Sequence, residues 1–94
     1  MFVLALEVDL HIGHSQSLKD KRGVIRPIVE GARRRYNVAA AEVGDQNLWQ
    51  RAQLGFAAVS SSQRHTTEVI DEVSRFVWSF PEISVLDEER TWLS

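Results

Sequence analysis

Hydrophobic and polar positions alternate strictly at the start of the chain. Phe2, Leu4, Leu6, Val8, Leu10 and Ile12 fall on one side, and Val3, Ala5, Glu7, Asp9 and His11 on the other. A period of two with one polar side predicts a strand whose single face covers a core. After a turn at Gly13 to Gln16 the period lengthens. Leu18, Ile25, Ile28, Val29, Ala32 and Tyr36 recur at the spacing of one helical stripe. Ser17 fits the N-cap of that helix, with Asp20 as a capping-box partner, and Asn37 fits a left-handed stop. Pro27 interrupts the pattern. A proline inside a helix removes a hydrogen bond and crowds the carbonyl four residues back, here that of Gly23, so a kink or tightened turn is expected.

Val38 to Val43 reads as a short strand, followed by turn formers at Gly44, Asp45, Gln46 and Asn47. Leu48 to Ser60 reads as a long third strand. Its core side holds Leu54, Phe56 and Ala58, and its outer side Trp49, Arg51, Gln53, Gly55 and Ala57. The serines at 60 to 62 break the alternation and supply a cap. Val69, Val73, Phe76, Val77 and Phe80, joined by Ile70, then form the stripe of a second helix that Pro81 stops. Ile83 to Trp92 reads as a fourth strand. Strand, helix, strand, strand, helix, strand predicts an α+β, ferredoxin-like βαββαβ sandwich, with residues 1–94 as one domain. Two helices cover only one face of its four-stranded antiparallel or mixed sheet, and right-handed crossovers place strands one and three centrally. The open face should then carry Glu7, Asp9 and His11 beside Trp49, Arg51 and Gln53.

Composition narrows the setting. The chain has no cysteine, so neither disulfides nor thiol chemistry are available. Its apolar stretches are far shorter than the roughly 20 residues that span a bilayer. It opens on a strand pattern rather than on a basic start and an apolar leader. These features predict a cytoplasmic protein without membrane partners. The net charge of −2 conceals an asymmetry. Residues 17–36 hold seven basic against two acidic residues, a local +5, whereas the remainder holds four against eleven, a local −7. One positive helix on an acidic body points to an anionic partner on one side.

Several blocks resemble the YlxP-like bacterial family of unknown function. They are Ser17-Leu18-Lys19-Asp20-Lys21-Arg22, Asn37-Val38 with Ala41-Glu42-Val43, Asp45-Gln46-Asn47-Leu48-Trp49-Gln50-Arg51-Ala52 with Leu54-Gly55, and Val59-Ser60. The resemblance spans most of the chain and implies a ferredoxin-like fold, but supplies no catalytic residues. The genes of that family often lie beside those of translation initiation and ribosome maturation factors, which implies work near the ribosome.

The first helix is the leading candidate site. Lys19, Arg22, Arg26 and Arg33 recur at three-, four- and seven-residue steps, and Lys21, Arg34 and Arg35 widen the positive surface. Phosphate contacts to ribosomal RNA or a ribosomal subunit suit such a surface; a solvated charged face is the plain alternative. Unpaired N–H groups at the helix start also favour a phosphate near Ser15 to Lys19. Trp49, Arg51 and Gln53 form the second candidate, read as a protein interface or homodimer seam ahead of base stacking, because Glu7 and Asp9 share their face. His11, His14 and His65 lack the spacing of a metal site. No phosphate loop, nucleophile elbow or dinucleotide fingerprint is present. The expectation is a non-enzymatic accessory factor without cofactor or small-molecule substrate. An acylphosphatase-type hydrolase is the weakest alternative.

Overall fold

A computed structural model describes residues 1–94. Its elements run β1 (Phe2–His11), α1 (Leu18–Tyr36), β2 (Ala39–Gly44), β3 (Arg51–Ser60), α2 (Gln63–Trp78) and β4 (Ser84–Trp92). All pairings are antiparallel, in the order β2-β3-β1-β4. The chain is therefore a βαββαβ ferredoxin-like sandwich with β1 and β3 central, as the alternation of periods requires. No helix is long and apolar enough to cross a membrane.

The core lies between the sheet and both helices. The sheet supplies Leu4, Leu6, Val8, Leu10, Ala52, Leu54, Phe56 and Ala58. The helices supply Ile25, Ile28, Val29 and Ala32 from α1, and Ile70, Val73 and Val77 from α2. Burying an Ile or Val side chain contributes roughly 1.5–3 kcal/mol, so this stripe rather than intrinsic propensity holds α1, which also contains Gly23, Pro27 and Gly31. Ser17 caps α1 by accepting from the Asp20 N–H at 3.0 Å, and Asn37 ends it at φ 54°, ψ 46°. The helix continues through Pro27 without a break. Gly23 and Pro27 both face solvent, so water can serve the carbonyl that the proline leaves without a donor.

The third strand is shorter than its alternation predicts. It begins at Arg51, and residues 45–50 form a loop in which Asp45 has φ 58°. On the open face β1 and β4 place Glu7 opposite Glu89 and Asp9 opposite Asp87. The β2–β3 half carries the small apolar side chains Ala39, Ala41, Val43 and Ala57 on this face. A side chain at Gly55 would bring its Cβ to 2.9 Å from Val43 Cγ1, so the glycine lets Val43 lie across the sheet.

Candidate nucleic-acid interface

The charged residues of α1 divide into two populations. Lys19, Arg22, Arg26 and Arg34 point outward and line a shallow concavity of about 510 Å³ with Gly23, Pro27 and Glu30. Lys19, Arg22 and Arg34 have no internal hydrogen-bond or ion-pair partner. Arg26 reaches only Glu30, at 3.9 Å, and both side chains are well exposed; exposed pairs of this kind contribute little. Arg22 and Arg26 also border a second groove, of about 270 Å³, between α1 and β2.

The remaining cations are engaged by the fold. Lys21 is buried at 2% exposure. Its ammonium donates to the carbonyls of Asp45 at 2.7 Å, Leu48 at 2.8 Å and Arg51 at 2.9 Å. Those three bonds use all its donors. Glu42 Oε2, 2.7 Å from Nζ, is therefore held by charge and has no hydrogen bond of its own. Lys21 is thus removed from the set of phosphate ligands expected on the first helix. Arg33 is largely committed as well, donating through Nε and Nη2 to the Ala40 carbonyl at 3.1 and 2.6 Å. Arg35 lies over the Phe76 ring, 5.0 Å from its centroid, a cation–π contact. At the start of α1 the Asp20 carboxylate accepts from the Gln16 N–H at 3.1 Å and so places a negative charge where an anion was expected.

The signal that separates Lys21 from its neighbours was present in the spacing. Leu18, Lys21, Ile25, Ile28 and Ala32 step by three and four along the apolar stripe. A lysine at such a position must either break the core or be fully bonded inside it.

Trp49 is also displaced from its expected place. It lies on the β2–β3 loop rather than on the open sheet, and is 55% exposed. Arg51 and Gln53 do occupy the open face, opposite His11 and Asp9. The loop is anchored on both sides. Lys21 gathers its carbonyls from below, and the Ile12 N–H donates to the Gln50 carbonyl at 2.8 Å. Gln50 Nε2 donates to the carbonyls of Gly13 and Ser15 at 3.3 and 3.2 Å. Trp49 is therefore an exposed side chain on a braced loop attached to α1.

Three comparisons bear on this geometry. Residues 3–90 match the model of a family described as "Protein of unknown function (DUF503)". Over 86 residues the chain is 38% identical to "Uncharacterized protein YlxP" of Bacillus subtilis (strain 168), covering 92% of this chain and 94% of that protein. The solution NMR structure of a de novo designed protein with ferredoxin fold superposes on the whole chain and on 87% of its own, with a TM-score of 0.58 and 9% identity. The last likeness concerns the fold alone.

Proposed function

We propose, from the premise that this chain belongs to the YlxP-like family of unknown function (DUF503), that it is a non-enzymatic, cytoplasmic accessory factor of translation or ribosome assembly. Its contact with RNA is made through the outer face of α1. The carrying observation is the convergence of Lys19, Arg22, Arg26 and Arg34 on one concavity. Cations that serve only the fold resemble Lys21 and Arg33, whose donors are spent on carbonyls. The outward group instead leaves its donors free on an otherwise acidic molecule. Free guanidinium groups on a rigid helix suit phosphate oxygens, and such contacts position a protein on RNA without reading sequence.

A homodimer through the open sheet is the rival reading. It is supported by the apolar strip of Ala5, Ala39, Ala41, Val43, Gly55 and Ala57. It is opposed by the Glu7–Glu89 and Asp9–Asp87 rows on the same face, which a two-fold pairing would bring close to their copies.

Co-sedimentation with ribosomal subunits across a salt series tests the proposal. Four phosphate contacts should give a slope near three log units of affinity per decade of salt, at roughly 0.7–0.9 per contact. Arg22→Glu/Arg26→Glu should lower that slope to about half or abolish binding. Absence of binding at low salt by a folded protein would refute RNA contact.

A further inference from the structure

We infer that the β2–β3 loop holds a nucleotide subsite in which Trp49 stacks on an unpaired base, so that the RNA bound along α1 is single-stranded at this point. The inference rests on the phosphate-contact reading of α1 and specifies its ligand. Asn47, Leu48, Trp49, Gln50 and Arg51 line an open concavity of about 420 Å³. Three kinds of chemistry meet there. Trp49 offers an exposed π face and has no aromatic partner, whereas Trp92 packs edge-on against Phe2 at 6.4 Å. Asn47 carries an amide that enters no internal hydrogen bond, free to donate and accept at a base edge. Arg51 is exposed and forms no ion pair, which leaves its guanidinium for a phosphate.

The placement favours nucleic acid over a protein. Lys21 ties the loop at Asp45 and Leu48, and the first residue of β3 at Arg51, to the start of α1, and its sequence neighbours on that helix include the unpartnered Lys19 and Arg22. One strand can therefore run from the outer cations onto the tryptophan. The braced backbone matters as much as the ring. An aromatic on a fixed loop loses less entropy on binding than one on a mobile loop. Stacking on a single exposed aromatic is sequence-tolerant, as every base has a π face.

The test is fluorescence anisotropy with an unstructured RNA 12-mer and with a duplex of the same sequence. The proteins are wild type, Trp49→Ala, Trp49→Phe and Arg22→Glu, each checked for folding by its thermal melt. Trp49→Ala should weaken single-strand binding by about 5- to 150-fold and leave duplex binding within about twofold. Trp49→Phe should recover much of the loss, and Arg22→Glu should weaken both forms. Equal single-strand affinity of Trp49→Ala and wild type, with Arg22→Glu still impaired, overturns the subsite and leaves the α1 reading standing. Failure of wild type to bind either RNA overturns the α1 reading and the subsite together.

Discussion

Replacing Lys21 by methionine isolates the ammonium, because methionine keeps an unbranched stem of similar length and has comparable helix propensity. The substitution strips donors from three carbonyls at 2.7–2.9 Å and leaves the Glu42 carboxylate, only 25% exposed, without its counter-ion. Removing one partner of a buried pair costs about 3–5 kcal/mol. Loss of the carbonyl bonds lies within that range once water re-enters the loop. A domain of this length has a total stability of roughly 5–14 kcal/mol, so the variant should fold but melt more than about 12 °C lower. Urea titration measures the loss, with Lys19→Met as the control on the same helix; Lys19 is exposed and should change stability by less than about 0.5 kcal/mol. Adding Glu42→Gln to Lys21→Met should restore part of the deficit, since the stranded charge is then gone. A cost below about 1 kcal/mol, or equal to that of the control, would refute the claim that Lys21 pins the loop. RNA affinity of the folded Lys21→Met protein supplies a second check: its salt slope should match wild type, because this ammonium contributes no phosphate contact.

The two glycines of α1 with helical neighbours should respond in opposite directions. A Cβ at Gly23 meets nothing within 4 Å, so Gly23→Ala should stabilise by about 0.5–1 kcal/mol, whereas at Gly31 it would lie 2.6 Å from Phe76 Cζ and Gly31→Ala should destabilise by about 1–2 kcal/mol, both read from urea midpoints. Arg33→Ala should cost about 1–2 kcal/mol through loss of the two hydrogen bonds to the Ala40 carbonyl, a deficit visible as earlier amide exchange in β2. Glu89→Lys converts a like-charge pair with Glu7 into an attractive one and should raise stability by about 0.5–1 kcal/mol, a gain that high salt diminishes.

Most of the architecture can be read from local pattern, because each element has a single wet side and its period survives in the sequence. The caps at Ser17 and Ser62 and the left-handed Asn37 are equally local. What local pattern misreads is the stretch from Leu48 to Gln50. Its apolar residues continue the phase of β3, so it resembles an extension of that strand. The decisive interaction is the Lys21 ammonium, 24 to 30 positions away in sequence, which draws three carbonyls inward and delays the ladder to Arg51. The same long-range event explains why the expected basic cluster loses Lys21. Arg33 is lost for a related reason, because its neighbour on β2 is not visible from the helix alone. Pro27 does not end α1, which runs on to Tyr36. The proline occupies the outward side, where the core stripe passes beneath it unaffected.

The sheet order also governs when the protein can fold. β1 precedes every other element in the chain, yet its hydrogen-bond partners are the most distant in sequence: Phe2 pairs with Ser60, and Leu4 with Trp92. At a synthesis rate of roughly 5–20 residues per second, the central strand waits on the order of 4–16 s between its own appearance and that of β4. Throughout that interval Leu4, Leu6, Val8 and Leu10 have no complete core to enter. Long-range strand pairing of this kind is slow and exposed to misassociation. Glu7 and Asp9, charges that weaken the finished sheet by facing Glu89 and Asp87, ride on the same strand during its wait. Like charges on an unpaired apolar strand oppose its pairing with its own copies.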